Sequence, residues 1–173
     1  MRHMRDLLKF SETLSPACSP SEALALRERQ LDAHFLIKDY DGTIAMLKEG
    51  LVGRSTNWVA GTIAKLRAHK AVDAQQWNEA IKQFGIFGQC LLNASEDEPS
   101  DCDPVTGVLY SREWMVAKNY NRCAGLYAKL LDRPSALRML NLAKEYYVKA
   151  LDKAKDDPKS LAVMKTEAKP LGL

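Results

Sequence analysis

The sequence has little that would support chemistry at a metal or redox centre. Its four cysteines, Cys18, Cys90, Cys102 and Cys123, are far apart, and none belongs to a Cys-x-x-Cys pair or a Cys/His ligand spacing. A Gly-rich phosphate loop, a Gly-x-Ser-x-Gly nucleophile and a His-Glu-x-x-His zinc motif are also missing. We therefore predict reduced thiols, no cofactor, no metal site and no enzymatic activity.

Long apolar runs and a strong charge imbalance are missing as well. No apolar stretch approaches the ~18 to 20 residues that cross a bilayer, and the basic segment 1–9 leads into polar residues, unlike a secretory signal. The net charge is only +3, without the basic excess of nucleic-acid binders. These features predict an intracellular protein, cytoplasmic or nuclear, that binds neither membrane nor nucleic acid.

Glycine and proline are scarce and fall mostly between apolar segments of helical period. With 9 Gly and 7 Pro in 173 residues, 46% of them hydrophobic, the chain is typical of one helical domain. Gly85 and Gly88 fall inside a helix, where each costs roughly 0.8 to 1 kcal/mol relative to Ala, so we expect a neighbouring helix to approach closely there. The predicted helices span about 21–37, 41–52, 57–74, 77–93, 111–130, 134–155 and 160–168, with Ser21 and Ser111 as N-caps.

The predicted organisation has three parts. A flexible arm covers 1–20, a helical domain covers 21–158, and a tail covers 159–173. Within the domain, segment 95–104 carries five acidic residues and two prolines, which is typical of a solvated insertion. Its acidic residues lack the order and central Gly of a calcium loop, so a cation site there is the weaker interpretation.

A short pattern recurs along the predicted helices. In segment 76–84 an aromatic residue opens a helix, Ala80 follows where two helices touch, and Phe84 comes one turn later. Segment 39–51 has the same layout, and segment 143–151 repeats its second half. This Ala-x-x-x-Phe arrangement resembles the second half of the tetratricopeptide (TPR) repeat.

The spacing of the pattern agrees with that resemblance in part. Thr43 and Ala80 lie 37 residues apart, close to the 34-residue TPR period, whereas Ala143 lies 63 residues beyond Ala80. The acidic insertion accounts for the irregular second gap. The first halves of the repeats lack the Trp-x-x-Leu-Gly-x-x-Tyr pattern of the family, so general stacking of helical hairpins stays open as an alternative.

The resemblance implies an all-α fold: a right-handed stack of about three antiparallel helix pairs, near 22–53, 58–93 and 111–155, with a C-terminal capping helix. It also implies a non-catalytic adaptor or scaffold that binds a peptide or helix of a protein partner in a concave groove. A structural subunit buried permanently in a larger assembly is the alternative. Segment 112–122 is similar, more faintly, to repeats of large meiotic TPR scaffolds, which would also make the chain a scaffold.

The first helix of each pair lines the groove in this family. By register, the resemblance places the following residues there: Glu28, Asp32, Phe35 and Leu36; Thr62, Lys65, His69 and Val72; Asn119, Arg122, Leu126 and Lys129. The apolar members could instead be core, and the lysines and Arg122 an ordinary solvated face. Two carboxylates in the first pair argue against the carboxylate clamp of chaperone-cofactor TPR domains.

The basic and hydrogen-bonding members of this set are our predicted partner site. They are Lys65, His69, Asn119, Arg122 and Lys129, and they favour a partner segment with acidic and apolar residues. His69 and Asp73 are also the one pair with the spacing for general-base work, although an i,i+4 contact on a helix is usually a modest surface interaction.

Overall fold

A computed structural model describes residues 20–49, 54–94, 101–102 and 109–172 of the chain. Within them lie seven α-helices: α1 (Pro20–Leu36), α2 (Tyr40–Lys48), α3 (Thr56–Asp73), α4 (Trp77–Leu92), α5 (Arg112–Lys129), α6 (Arg133–Lys153) and α7 (Pro158–Ala168), the last followed by a 3-10 turn, Lys169–Leu171. Two strands of two residues, β1 (Asp101–Cys102) and β2 (Leu109–Tyr110), pair antiparallel between α4 and α5. The prediction of an all-α protein is confirmed. The predicted arm, apart from Pro20, and most of the acidic insertion lie outside the described residues.

Polar side chains begin most of these helices. Each accepts a hydrogen bond from a backbone amide of the first turn, which satisfies a donor that the helix itself leaves open. The capping residues are Asp39, Ser55, Ser111, Asp132 and Asp157. Ser111 is therefore confirmed as an N-cap, whereas the prediction for Ser21 is wrong, because α1 already begins at Pro20.

Three corners of the fold share one backbone geometry. Each has a non-glycine residue at left-handed φ, namely Lys38 (60°), Gln75 (56°) and Leu131 (59°). In each, the next amide bonds to the carbonyl five residues back, from Asp39 to His34 (2.9 Å), Gln76 to Ala71 (2.8 Å) and Asp132 to Tyr127 (3.0 Å). These are Schellman-type helix ends. The chain therefore turns in the same way after α1, α3 and α5.

The corners also fix the register of the repeated pattern. Five residues beyond the left-handed position lie Thr43, Ala80 and Ala136, which are 3%, 0% and 8% exposed. The spacing between the first two agrees with the sequence. The third equivalent residue is Ala136 and not Ala143, which lies two turns further along the same face of α6. Because alanine recurs at Ala143 and Ala150 on that face, the sequence pattern alone could not distinguish the three positions.

Helices that follow one another in the chain pack together. The contacts are most extensive between α3 and α4 and between α5 and α6, and smaller contacts join α1 to α2, α2 to α3, α4 to α5 and α6 to α7. Among the described residues the core has three clusters in chain order, centred on Leu47, on Phe84 and on Trp114. Helix α7 contributes Met164 and Ala168 to the last cluster, so this helix packs with α5 and α6.

Glycine allows close approach at some helix positions and not at others. A Cβ on Gly61 would lie 2.9 Å from Cβ of Cys90, and one on Gly88 would lie 2.7 Å from Nδ2 of Asn119. Around Gly85, and around Gly125, no atom lies within 4 Å of such a Cβ in the described part of the chain. The expected close approach therefore holds for Gly88, and the expectation for Gly85 is wrong.

Candidate interaction surface

A row of four side chains crosses successive helices. Phe35 of α1 lies edge to face with His69 of α3, with ring centroids 5.5 Å apart, and His69 lies edge to face with Phe84 of α4 at 5.6 Å. The guanidinium carbon of Arg122 in α5 lies 6.0 Å from the centroid of the Phe84 ring. We call these four residues the cross-helix row. Two predicted site residues, His69 and Arg122, thus meet over one aromatic ring.

Phe84 is the base of this row. It is 2% exposed and occupies the final position of the Ala80-x-x-x-Phe84 pattern. Ala80, fully buried one turn earlier, leaves room for the neighbouring helices to pack against α4. The repeat pattern read from the sequence therefore marks the ring on which the site is built.

Arg122 combines an exposed side chain with partial desolvation of its charge. By surface area its side chain is exposed, yet desolvation by the surrounding protein lowers the pKa of its guanidinium. Exposure and desolvation occur together when protein atoms surround most of a group and one side of it stays in contact with solvent. An Arg in such a place is available to a ligand and is less shielded by water than an ordinary surface Arg.

The guanidinium of Arg122 has no salt-bridge or hydrogen-bond partner among the described residues. Glu167 of α7 is the acidic group whose field acts on it, but both carboxylate oxygens of Glu167 are engaged. Oε2 accepts from Nε1 of Trp114 at 3.0 Å, and Oε1 accepts from Nζ of Lys118 at 3.1 Å. Arg122 therefore keeps its donors free for an external acceptor.

His69 contributes an uncharged ring to the cross-helix row. Burial is the main cause that lowers its pKa to about 4, together with the positive charges of Arg122 and Lys65 and against a smaller opposing effect of Asp73. At neutral pH the imidazole is uncharged. The positive charge of the row therefore comes from Arg122, with Lys65 nearby.

The possible His69–Asp73 dyad has no hydrogen bond in the described structure. Asp73 instead accepts from Nζ of Lys38 at 3.2 Å and from the hydroxyl of Tyr40 at 2.9 Å, and these bonds lower its pKa. The His69 ring makes edge-to-face contacts with Phe35 and Phe84. Asp73 thus joins the corner after α1 to α3.

The two predicted lysines lie on aromatic rings at either side of the row. Nζ of Lys65, which is half-buried, lies 5.7 Å from the centroid of Phe87, and Nζ of exposed Lys129 lies 4.6 Å from that of Trp77. Lys129 follows Arg122 by seven residues, about 10 Å along α5 on the same face. It extends the positive surface toward the corner after α5.

Asn119 does not belong to an accessible surface. It is 2% exposed, and its Nδ2 donates to the main-chain oxygen of Phe84 at 2.9 Å, while its Oδ1 has no partner among the described residues. A partner cannot contact it while α4 and α5 are packed together. The prediction that Asn119 contacts a partner therefore does not fit this structure, in which Asn119 links two helices.

The apolar groove candidates divide into two groups. Leu126 is 5% exposed and belongs to the core, as the alternative interpretation holds. Phe35 and Leu36, at 37% and 68% exposed, face solvent at the end of α1. Asp32 is exposed beside them, and the side chain of Glu28 lies outside the described residues.

Sequence reasoning did not find the polar cluster beside Arg122. Lys118, one turn before Arg122 on α5, lies 5.2 Å from the ring centroid of Tyr110 and 5.6 Å from that of Trp114, and also bonds Glu167. The i,i+4 spacing of Lys118 and Arg122 was a signal that they share a face. The bond between Lys118 and Glu167 was not foreseeable, because it joins segments about fifty residues apart.

A concavity of about 490 Å³ lies between α6 and α7. Its lining is largely apolar with a basic rim, and comprises Val148, Lys149, Leu151, Asp152, Lys155, Leu161 and Lys165. Two of its lysines are engaged in ion pairs, Lys149 with Glu145 and Lys155 with Asp152. This α6–α7 cleft is separate from the cross-helix row.

Comparison with known proteins gives no relative: no family model, no curated protein and no solved structure matches the chain. In the parts of the chain that the structure describes, no helix has both the length and the apolar character of a membrane span. The same residues contain no group of three or more His, Cys, Asp or Glu side chains placed to hold a metal ion.

Proposed function

We propose that this protein is a non-catalytic interaction module, an adaptor or scaffold of TPR type, that binds a segment of a protein partner across the cross-helix row. One observation carries the proposal. Arg122 has no acceptor among the described residues, although it lies in a partly desolvated position over Phe84 and beside a neutral His69. Such an Arg is the residue type that most often dominates binding energy at protein interfaces.

The architecture we propose is a right-handed stack of three helix pairs, α1 with α2, α3 with α4 and α5 with α6, capped by α7. Three like corners and packing between helices that follow in the chain support it. In such a stack the first helices of the pairs share one concave side. Phe35, His69 and Arg122 come from α1, α3 and α5, as this arrangement requires.

The partner we propose is an intracellular protein that presents a peptide or helix with acidic and apolar residues. Arg122, Lys65 and Lys129 supply positive charge, while Phe35 and Leu36 supply exposed apolar area. Complementary charge mainly gives specificity and rapid association, and apolar contact supplies most of the affinity. The proposal includes neither nucleic acid nor membrane as a ligand.

An affinity pull-down from the native organism, repeated with two variants, tests the proposal. Arg122→Glu should weaken binding of recovered partners by at least ~2 kcal/mol, about 30-fold in Kd. Arg138→Glu is the matched control, since Arg138 is an exposed Arg on α6, away from the row. Partners that stay bound to Arg122→Glu but are released by Arg138→Glu would contradict the proposal.

A permanent structural subunit is the second candidate. Several large apolar side chains are well exposed on different helices and corners, including Leu36 (68%), Leu131 (90%), Leu137 (51%) and Val148 (52%). Exposed apolar side chains of this size would be covered if the chain were part of an assembly. Light scattering of the purified chain separates the candidates: a soluble monomer at high concentration favours the adaptor, and concentration-dependent aggregation favours the subunit.

A further inference from the structure

We infer that the bound segment presents one carboxylate to Arg122 and one large apolar side chain to Phe35 and Leu36, at a short fixed separation. The inference rests on the proposed function and adds to it the chemistry and spacing of the ligand. It starts from the asymmetry of the cross-helix row. At one end of the row the apolar Phe35 is exposed, and at the other end the cationic Arg122 is exposed. Between them, His69 is half-buried and Phe84 is buried.

The cationic end is suited to a carboxylate. A guanidinium offers two parallel N–H donors that match the two oxygens of a carboxylate, and the pair is stronger where water is partly excluded. No described residue accepts a hydrogen bond from Arg122, and Glu167 instead accepts from Trp114 and Lys118. The nearby charge of Lys65 favours an anion further.

The apolar end is suited to a Leu, Met or Phe side chain. Phe35 packs edge to face on Tyr40 as well as on His69, so its ring is held in place, yet it remains 37% exposed. Leu36 beside it is 68% exposed. An incoming apolar side chain would therefore meet a preordered ring and add buried area without ordering a mobile group.

The geometry of the row limits the separation. The three steps of 5.5, 5.6 and 6.0 Å run from Phe35 through His69 and Phe84 to Arg122. The ends are thus at most roughly 17 Å apart, which an extended chain spans with about five residues at ~3.3 Å each. We infer an extended segment in which the acidic and apolar residues lie no more than about five positions apart.

Selection from a displayed library of random twelve-residue peptides tests this inference on the full chain. On the wild type, enriched peptides should pair Asp or Glu with Leu, Met or Phe at one preferred separation of five residues or fewer. On Arg122→Gln the acidic preference should disappear, and on Phe35→Ala the apolar preference should disappear. Arg138→Gln, the matched control, should select the same peptides as the wild type.

The Kd values of synthetic copies of the selected peptides, made with amidated C-termini, then measure how much the carboxylate contributes to binding. Replacing the acidic residue by its amide should raise Kd at least tenfold on the wild type and have little effect on Arg122→Gln. If a C-terminal carboxylate is the ligand, amidation alone abolishes binding and the side-chain assignment is overturned. Circular dichroism melting of each variant shows that lost binding is not lost folding.

Several outcomes overturn the inference without affecting the proposed function. They are an absence of enriched peptides on the wild type, an unchanged acidic preference on Arg122→Gln, and an acidic-to-apolar separation that varies freely. If a fluorescent poly-uridine oligonucleotide binds the chain and displaces the peptides, the ligand of this site is a nucleic acid instead. A different result contradicts the proposed function, namely that partners recovered in the pull-down bind Arg122→Glu as well as they bind the wild type.

Discussion

Asn119 of α5 donates a hydrogen bond to the main-chain oxygen of Phe84 in α4, across 2.9 Å. The side chain of Phe84 lies under both His69 and Arg122, so this bond fixes the position of α5 relative to the base of the cross-helix row. Gly88 makes the contact possible, because a Cβ there would lie 2.7 Å from the donating nitrogen. The junction between α4 and α5 therefore holds the two halves of the site together.

Removing this bond should destabilise the fold. Asn119→Ala eliminates a buried hydrogen bond and leaves a small cavity, so we expect the free energy of unfolding to fall by about 1 to 3 kcal/mol. Urea denaturation measures it. Asn121→Ala, at an exposed position on the same helix, is the control and should change stability by no more than about 0.5 kcal/mol. Equal effects of the two substitutions would show that the Asn119 bond contributes nothing.

Replacing Gly61 and Gly85 by alanine should change the free energy of unfolding in opposite directions. Gly61→Ala places a Cβ 2.9 Å from Cβ of Cys90, which cannot move without its backbone, so we expect a loss of about 1 to 3 kcal/mol despite the better helix propensity. Gly85→Ala meets open space and should gain up to about 1 kcal/mol. Thermal melting of the two variants gives the comparison. A gain for Gly61→Ala would mean that α3 and α4 are not so closely packed.

The corner at Leu131 offers a stabilising change. Its φ of 59° is unfavourable for a side chain with a Cβ, and the side chain is 90% exposed, so Leu131→Gly loses almost no packing. We expect a gain of about 0.5 to 1 kcal/mol. Leu130→Gly, at φ −82° beside it, should destabilise instead. A loss at Leu131 in urea denaturation would show that its left-handed backbone conformation is not populated.

The fold could be predicted from the sequence where local signals decide it. Helical periodicity and cap residues such as Ser111 gave the elements, and the spacing of Thr43 and Ala80 gave the first repeat interval. The sequence pattern puts its third occurrence at Ala143, two turns beyond the structurally equivalent Ala136, because the two alanines share a helix face. No local signal marked the left-handed corners, since tertiary packing and not residue type imposes them at Lys38, Gln75 and Leu131.

The site could be predicted only in part. Helical register put His69 and Arg122 in one set, and both lie near the Phe84 ring, but the same register could not distinguish Asn119, which is buried, from its exposed neighbours. Burial depends on which helix packs against α5, and that information is not local. The partial desolvation of Arg122 has the same origin.

His69 should make stability depend on pH. Its pKa is about 4 in the folded protein and about 6.5 when unfolded, so the unfolded chain binds the proton more tightly between these values. The contribution of His69 is therefore fully present above pH 6.5 and is lost as pH falls toward 4, on the order of 1 to 3 kcal/mol. His69→Phe should show a weaker loss of stability over this range than the wild type.

The positive charge of Arg122 should affect the measured pKa of His69. Removing one like charge in Arg122→Gln should raise the pKa of His69 from about 4, while burial still keeps it below its ordinary value. NMR of the imidazole resonances follows this directly. An unchanged pKa of His69 in Arg122→Gln would contradict the proximity of the two side chains over Phe84.

The central claim is that a partner segment binds on the cross-helix row, and chemical-shift mapping tests it most directly. A selected peptide, or the binding segment of a recovered partner, is titrated into isotopically labelled full-length chain. We expect the largest shifts at Phe35, His69 and Arg122, with Val148 and Leu161 of the α6–α7 cleft unchanged. Shifts concentrated in that cleft, with the row unaffected, would contradict the account.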